Sequence, residues 1–216
     1  MTPERPEESR VPHWDARFAA DGYLFGTAPN EFLASCRDLI GGSGRALCVA
    51  DGEGRNSVWL AEQGLDVVAF DPSPVGVAKA RRLAEERGVR VRYDVADAES
   101  WEWPSGAFDV VAAIYIQFAP PAMRRAIFGH VLTALRPGGL FLLAGYRLEQ
   151  LAYGTGGPKV PEQLYTEDQI REELAASALE GLRASDAAVD EGPGHSGMSA
   201  VIDVIARRPA GAGDLR

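Results

Sequence analysis

The fold is decided by the stretch Arg45-Ala-Leu-Cys-Val-Ala-Asp-Gly-Glu-Gly-Arg-Asn-Ser-Val-Trp-Leu-Ala61 and by the run that follows it, Val67-Val-Ala-Phe-Asp71. An apolar strand breaks into a turn with glycines at 52 and 54, helical periodicity begins, and a second apolar strand ends on a carboxylate. Glycines let backbone approach a ligand where a Cβ would collide, and the carboxylate can accept both hydroxyls of a ribose. Strand, glycine turn, helix, strand and acid predict a site for a cofactor that contains adenosine.

The side chains of the turn indicate which cofactor it binds. Asp51 and Glu53 flank Gly52, and Ser57 stands where a dinucleotide turn carries a third glycine or alanine. A helix N-terminus that cradles a pyrophosphate disfavours negative side chains, whereas two carboxylates suit a cationic ligand. S-adenosylmethionine has a sulfonium, an ammonium and no phosphate, so the turn favours it. A nicotinamide-dependent oxidoreductase is the weaker enzyme alternative, since no Tyr-x-x-x-Lys pair supports it.

Composition and charge argue against several classes of partner. The formal net charge is −9 and no basic cluster offsets it, so we expect no nucleic-acid partner. No apolar run approaches the ~20 residues needed to cross a bilayer, and the first residues do not resemble a signal peptide. We therefore expect a cytoplasmic protein without a membrane partner. Cys36, Cys48 and the three scattered histidines show no metal-binding spacing, so no metal site is expected.

Strands and helices alternate along the chain. The pattern predicts strands at about 46–50, 66–70, 89–94, 108–114, 140–144, 182–189 and 199–206, and helices at about 32–40, 55–63, 74–87, 122–135 and 166–176. This alternation predicts a doubly wound, Rossmann-like α/β fold: a mostly parallel seven-stranded sheet with helices on both faces and an antiparallel C-terminal hairpin. We expect a single domain, 13–208, between a disordered tail, 1–12, and a flexible tail, 209–216.

Five motifs in order carry a family resemblance. They are Ala50-Asp-Gly-Glu-Gly-Arg-Asn-Ser57, Phe70-Asp-Pro-Ser73, Val95-Ala-Asp-Ala98, Phe108-Asp-Val-Val111 and Leu135-Arg-Pro-Gly-Gly-Leu140. With them, the chain resembles the class I S-adenosylmethionine-dependent methyltransferases. An N-terminal run, Trp14-Asp-Ala-Arg-Phe18 with Tyr23-Leu-Phe-Gly-Thr-Ala-Pro-Asn30, is typical of a narrower branch that includes tellurite-resistance and thiol or thiopurine methyltransferases.

The resemblance implies a cofactor site. The turn Ala50–Gly54 would pass the methionine part, Asp71 would bind the ribose, and Asp97 with Ala98 would meet the adenine. The chain departs from the family at Ala50, where the first glycine usually stands, and at Cys48, where an acid is often found. The full set of cofactor-binding residues expected is Trp14, Arg17, Tyr23, Ala50, Asp51, Gly52, Gly54, Asn56, Asp71, Pro72, Ser73, Asp97, Ala98 and Ile114.

The segment 13–33 is dense in aromatic residues and glycines. The resemblance implies that it closes over the cofactor as a lid, since aromatic side chains exclude water at little cost in entropy. The same composition also suits core residues that anchor an N-terminal helix, and Trp14, Tyr23 and Phe25 fit either role.

Three residues are the candidates for catalysis: His195, Tyr115 and Gln117. Tyr115 and Gln117 follow the fourth strand at the edge where such sheets bind ligands, although Tyr115 could equally be a packing residue. His195 lies in a glycine-rich hairpin loop that can fold back over that edge. It could act as a general base because its pKa lies near working pH, or it could be a solvated loop residue.

An anionic acceptor would need a cation beside it. Tyr146 and Arg147, just past the fifth strand, are candidates for that contact, and a surface role is the alternative. In the tellurite branch an arginine often follows the hairpin histidine, but Ser196 stands there in this chain. An anion-binding role at that position is therefore in doubt.

The sequence therefore predicts methyl transfer from S-adenosyl-L-methionine to a small-molecule nucleophile: a thiol, a chalcogen oxyanion or a similar metabolite. The short loop at 145–165 and the absence of a large inserted domain favour a small acceptor. The alternative is a non-catalytic regulator that binds S-adenosylmethionine. We expect a monomer or a homodimer.

Overall fold

The structure, a computed structural model, describes residues 10–210. Its strands are β1 (Arg45–Val49), β2 (Asp66–Asp71), β3 (Val91–Val95), β4 (Phe108–Ile114), β5 (Leu135–Tyr146), β6 (Ala178–Asp190) and β7 (Ser196–Arg207). Its helices are α1 (Arg10–Phe18), α2 (Glu31–Ser35), α3 (Arg37–Ile40), α4 (Arg55–Glu62), α5 (Pro74–Glu86), α6 (Pro121–Ala134), α7 (Gln150–Tyr153) and α8 (Glu167–Glu173), with a 3₁₀ turn at Pro161–Gln163.

All seven strands form one sheet in the order β3-β2-β1-β4-β5-β7-β6. The pairs β1–β2, β2–β3, β1–β4 and β4–β5 are parallel, whereas β7 is antiparallel to both β5 and β6. The predicted doubly wound, mostly parallel sheet with an antiparallel C-terminal hairpin is therefore confirmed.

The sheet buries both of its faces, which explains why its central strands are continuous apolar runs. Successive residues of a strand point to opposite faces. Leu47 and Val111 accordingly belong to the core under α6 and α8, whereas Ala46, Cys48 and Val110 belong to the core under α4 and α5. Burial of each such valine or leucine contributes about 1.5–3 kcal/mol, so these two layers fix the strand order that builds the site.

Several predicted boundaries move once tertiary pairing is known. The prediction for β5 was 140–144, but the strand runs from Leu135 to Tyr146, because Leu135 pairs with Phe108 of β4 and the last residues pair with β7. β6 begins at Ala178, four residues before the predicted start at 182, for the same reason. Helix α1 begins at Arg10, ahead of the predicted domain start at 13. Most of the two predicted tails, 1–12 and 209–216, lies outside the described residues.

The carboxyl ends of β1, β2 and β4 meet at one edge of the sheet. The strand order reverses between β1 and β4, and a doubly wound sheet opens a crevice at such a point. Helix α5 starts at this edge with the predicted cap: the Ser73 hydroxyl accepts a hydrogen bond from the Gly76 amide, and Pro74 follows. Among the described residues, no helix has the length and apolarity that a membrane crossing requires.

Candidate functional site

A cavity of about 580 Å³ opens at this edge. Its volume lies in the usual range for small-ligand pockets. The predicted site residues that line it are Trp14, Arg17, Ala50, Asp51, Gly52, Asn56, Asp71, Pro72, Asp97, Ala98, Ile114, Tyr115, Gln117 and His195. Tyr23, Gly54 and Ser73 do not line it. The topology therefore brings most of the predicted set to one place.

Asp71 ends β2 with its carboxylate facing the cavity. One oxygen, Oδ2, accepts a hydrogen bond from the Gly52 amide at 2.8 Å, and the other, Oδ1, accepts one from the Ser73 amide at 2.9 Å. Burial raises the pKa of this carboxyl to about 6, although both amides favour the charged form. A carboxylate offers about four acceptor positions, so two remain for the hydroxyls of a ligand.

The two glycines of the turn after β1 have different structural roles. Gly52 has a φ of 60°, and a Cβ there would lie 3.2 Å from the ring of Phe18, which packs over the turn. Gly54 has a φ of 92°, and a Cβ there would lie 2.7 Å from the side chain of Ala80 on α5. Gly54 thus allows α4 and α5 to pack closely, and it does not line the cavity. Ala50 holds a left-handed conformation, φ 48°, where a glycine is unstrained.

Asp51 is held by the first turn of α4. The Ser57 hydroxyl donates to Asp51 Oδ2, and the Ser57 amide donates to Oδ1 at 3.3 Å. Burial, together with the negative Asp71, raises the pKa of Asp51 to about 7, although the Ser57 bonds lower it. The serine that replaces the third small residue of a dinucleotide turn is therefore the partner of the acid in the turn.

Glu53 corrects the charge argument drawn from the sequence. Its carboxylate does not line the cavity. It forms an ion pair with Lys79 at 2.9 Å and accepts a hydrogen bond from the Leu24 amide at 2.7 Å. Lys79 also donates to the carbonyl oxygens of Ala20 and Gly22. Glu53 therefore holds the N-terminal segment against the domain. Of the two acids in the turn, Asp51 lines the cavity and Glu53 does not.

The N-terminal segment covers the cavity. Helix α1 places Trp14 and Arg17 in its wall, and the Ser73 hydroxyl donates to Asp15 of the same helix. Phe18 is almost fully buried over Gly52, as a core residue would be. The Tyr23 ring lies behind the wall, in contact with the Lys79 ammonium. Different residues of this one segment therefore line the cavity and anchor the segment to the domain.

Arg17 is a cation without a carboxylate partner in residues 10–210. Its guanidinium stacks on Trp14 at 4.5 Å and on Phe25 at 5.7 Å from the ring centres. It lines the cavity, where burial lowers its pKa. Such a group can bind the carboxylate of a ligand.

The far end of the cavity is formed by aromatic rings. Tyr115 directly follows β4 with a φ of 57°, and its ring packs against Tyr146 at 4.8 Å and His195 at 4.2 Å. Tyr146 is buried, and its hydroxyl has no hydrogen-bond partner among the described residues. This end is therefore lined by aromatic rings.

Gln117 lies in the wall, but its polar atoms are engaged elsewhere. Its side-chain nitrogen donates to the carbonyl oxygens of Tyr146 at 2.8 Å and Gln163 at 3.0 Å, and its side-chain oxygen accepts from the Tyr146 amide. These bonds hold the end of β5 against the turn after β4. The geometry supports a structural role rather than the catalytic one expected.

His195 is brought into the cavity by the β6–β7 hairpin. The imidazole is buried against Phe25, with ring centres 4.6 Å apart, and its Nδ1 lies 3.5 Å from Oε2 of Glu191. Burial lowers its pKa below the usual value, opposed by the Glu191 bond. The neutral imidazole therefore predominates near pH 7, as a proton acceptor requires.

Sequence reasoning missed Glu191, and of the two roles that it left open for Arg147 the structure supports the one outside the cavity. Glu191 forms a buried ion pair with Arg55 at 2.7 Å, 136 positions earlier in the chain. The signal present in the sequence was an acid four residues before His195 in one short hairpin loop. Arg147 does not line the cavity, because it pairs with Asp186 and Glu149. Within the described residues, no group of three or more His, Cys, Asp or Glu could hold a metal ion.

The donor set of the cavity fits S-adenosylmethionine. Asp71 has acceptor positions left for ribose hydroxyls, Arg17 is an unpaired cation for a carboxylate, and Asp51 is an acid for an ammonium group. The ring-lined far end leaves room for a second, less polar molecule next to it. A dinucleotide would place a pyrophosphate against Asp51, which disfavours it.

Comparisons with known proteins agree with this geometry. Residues 46–139 match the family model of a methyltransferase domain. The chain is similar to demethylmenaquinone methyltransferase of Thermus thermophilus, with 40% identity over 97 residues, 44% of each chain. It spans less than half of the length of the first curated relatives that it matches.

Two solved structures share the fold at low identity. One is a protein studied in the conversion of a disulfide bond into a thioacetal group during echinomycin biosynthesis; it has a TM-score of 0.79 and 19% identity, with 95% of this chain and 94% of that one covered. The other is TehB from Haemophilus influenzae, with a TM-score of 0.69 and 16% identity over 84% of this chain and 63% of that one. Neither likeness places the chain in a branch of the family. Residues 46–139 are nevertheless similar to a methyltransferase domain, and such a match implies S-adenosyl-L-methionine as the cofactor.

Proposed function

We propose that this protein transfers a methyl group from S-adenosylmethionine to a small, uncharged nucleophile, with a thiol as the first candidate. The observation that carries the proposal is the distribution of charge in the cavity. Arg17 is the unpaired cation in its wall among the described residues, and the cofactor carboxylate requires one. Within residues 10–210, the cavity wall then has no further unpaired cation for an anionic acceptor.

The residues that line the cavity can be assigned either to the cofactor or to the acceptor. Asp71 would hold the ribose, Asp97 and Ala98 the adenine, and Trp14 with Arg17 the methionine carboxylate. The residues of the turn would lie along the methionine chain and sulfonium; they are Ala50, Asp51, Gly52 and Asn56. Pro72 and Ile114 would supply apolar wall, while Tyr23, Gly54 and Ser73 would support this wall from behind.

The chain's own part in the chemistry is alignment, exclusion of water and removal of a proton. When bound, the cofactor supplies a methyl group already activated by its sulfonium. The N-terminal segment covers the cavity and keeps water from it. His195 would accept the proton of the nucleophile, because its Nε2 has no hydrogen-bond partner in residues 10–210. Tyr115 and Tyr146 would fix the acceptor by packing of their rings.

The charges near the far end disfavour an oxyanion such as tellurite. Arg55 is paired with Glu191, and Arg147 points away from the cavity. A thiol needs neither, since its proton can pass to His195. The structural neighbour studied in echinomycin biosynthesis is described as converting a disulfide bond, which makes sulfur compounds the first acceptors to screen.

The first test is calorimetric titration with S-adenosylmethionine, S-adenosylhomocysteine and NAD in parallel. Micromolar binding of both adenosyl compounds without binding of NAD is the expected result, and binding of NAD alone would refute the site. Turnover is then measured with a neutral aromatic thiol, an aliphatic thiol and tellurite. Tight binding without turnover on any small nucleophile would support the non-catalytic regulator instead.

Arg17→Ala separates the two candidate acceptor classes. If Arg17 holds the cofactor, the variant weakens S-adenosylhomocysteine binding by about tenfold or more, as expected for loss of a charged hydrogen bond, and leaves the KM for a thiol unchanged. Unchanged cofactor affinity with a raised acceptor KM would mean that Arg17 binds an anionic acceptor. Arg171→Ala is a matched control, because that arginine forms an exposed ion pair on α8.

A further inference from the structure

We infer that Glu191 is a positioning residue for His195: it fixes which imidazole nitrogen carries the proton and points the other toward the acceptor. The inference rests on the proposed methyl transfer for its purpose, but its geometry stands independently of any acceptor. Glu191 lies four residues before His195 in the same hairpin loop, but the spacing alone assigns it no role.

Glu191 uses all of its acceptor capacity. Its Oε1 accepts from the Asn30 side-chain nitrogen at 2.7 Å and from the Glu31 amide at 3.1 Å. Its Oε2 accepts from Arg55 Nη2 at 2.7 Å and lies 3.5 Å from His195 Nδ1. A carboxylate has about four acceptor positions, so each is directed at a different group. The side chain therefore has little freedom to turn away from the imidazole.

The groups around the carboxylate keep it charged. Burial by itself would raise the pKa of Glu191, but the bonds from His195 and Arg55 and the Glu31 amide outweigh it and lower the pKa to about 2. An ionised carboxylate is a hydrogen-bond acceptor only. The proton of the neutral imidazole must then be on Nδ1. With the proton on Nε2 instead, the lone pair of Nδ1 would face a lone pair of Glu191 Oε2.

Three aromatic rings pack around the imidazole of His195 and hold its orientation relative to Glu191. Phe25 packs on the imidazole at 4.6 Å, Tyr115 at 4.2 Å and Tyr146 at 5.4 Å between ring centres. The charged groups that act on it are Glu191 from its own hairpin, Arg55 from α4 and Arg17 from α1. Glu191 is the one anion among them, so it alone stabilises the protonated imidazole.

A second consequence is that the imidazole and the N-terminal segment are held by one carboxylate. Asn30 and Glu31 begin α2 at the end of this segment, and the Gly194 amide donates to the Leu24 carbonyl at 2.8 Å. The hairpin loop 191–195 is thus closed against the segment that covers the cofactor. The contacts that position His195 therefore depend on the N-terminal segment being packed against the hairpin loop.

The tautomer can be tested on the wild-type protein. The chain has three histidines, so ¹⁵N chemical shifts of the imidazoles are resolvable, and His195→Ala identifies the signals of His195. In the complex with S-adenosylhomocysteine, we expect neutral His195 to carry its proton on Nδ1. A neutral His195 with its proton on Nε2 would overturn the inference, whether or not the protein transfers methyl groups.

The charge can be tested with Glu191→Gln, which keeps the shape and removes the anion. An opposite charge at this distance shifts a pKa by about 1–3 units, so the NMR titration of His195 should move down by about one unit or more. Glu191→Asp keeps the charge and should retain most of the wild-type value. Glu173→Gln is the matched control, since it breaks an equally buried pair with Arg124, at 2.7 Å, outside the cavity.

An unchanged pKa in folded Glu191→Gln would show that Glu191 is only a structural ion pair, and that result too would overturn the inference. Once an acceptor is known, the same variant should lower kcat and shift the acid limb of the kcat profile to lower pH, with cofactor affinity nearly unchanged. If neither the wild-type protein nor any variant shows turnover, but the pKa of His195 shifts in Glu191→Gln, the result would count against the proposed function and not against the role of Glu191.

Discussion

Replacement of Asp71 by Asn tests the cofactor site most directly. The carboxylate holds the Gly52 and Ser73 amides at 2.8 and 2.9 Å, and its remaining lone pairs face the cavity. An amide keeps the size of the group but supplies one oxygen instead of two. Alanine is a poorer choice, because two buried amides would lose their partner at a cost of about 1–3 kcal/mol each, and the variant would test folding rather than binding.

The expected loss follows from the type of bond removed. Hydrogen bonds to a charged group contribute about 1.5–3 kcal/mol, and every 1.4 kcal/mol is a factor of ten in Kd. Asp71→Asn should therefore weaken binding of S-adenosylhomocysteine by roughly 10- to 150-fold. The size depends on whether one ribose hydroxyl or both lose a charged acceptor.

The assay is calorimetric titration with S-adenosylhomocysteine, with the melting temperature of each unliganded variant measured in parallel. Asp109→Asn is the matched control: that carboxylate also accepts a backbone hydrogen bond, from the Arg45 amide at 2.7 Å, but it lies outside the cavity. It should lose stability without losing affinity. A change of less than about twofold in Kd for folded Asp71→Asn would refute the ribose role, since loss of a hydrogen bond to a charged group raises the binding free energy by more than that.

Two further predictions concern the same turn. Burial raises the pKa of Asp51 to about 7 and of Asp71 to about 6, above the ordinary value of 3.8, so the folded state binds more protons than the unfolded state between about pH 4 and pH 7. These two groups should make the unliganded protein less stable as pH rises through that range, and Asp51→Asn should flatten the slope in thermal melts. Gly54→Ala should cost about 2–4 kcal/mol in denaturant unfolding, because its Cβ would lie 2.7 Å from Ala80 at a φ of 92°. Gly88→Ala, with a φ of 68° and open space around it, should cost only about 1 kcal/mol, and equal losses at the two sites would refute the packing role of Gly54.

The cofactor half of the site could be predicted because its residues are local to strand ends. In a parallel sheet the carboxyl ends of neighbouring strands share one edge, so Asp51 and Asp71 had to meet once β1 and β2 were identified. The same rule placed Asp97 and Tyr115 at that edge. Only a parallel sheet was needed for this rule, and the alternation of strands and helices predicted one.

The acceptor half depended on contacts that no local pattern encodes. Glu191 meets Arg55 across 136 positions, and Gln117 turns its amide to the backbone of β5 rather than to the cavity. Glu53 shares a turn with Asp51 but points to Lys79. The direction of a side chain is set by the partners that tertiary packing brings to it, so residue type and spacing could name these residues but not assign their roles.

The backbone at the two strand ends bears on whether the protein is an enzyme or an inert binder. Ala50 and Tyr115 are the described non-glycine residues with positive φ, 48° and 57°, and they directly follow β1 and β4, where the strand order reverses. Each conformation costs about 1–2 kcal/mol, and such strain persists where surrounding contacts fix it at a functional site. At Tyr115 that strain coincides with the contact between its ring and His195. A regulator that only bound cofactor would be expected to fill this end with side chains, whereas one cavity reaches from Asp71 to His195. The open acceptor end and the buried, oriented imidazole therefore favour catalysis.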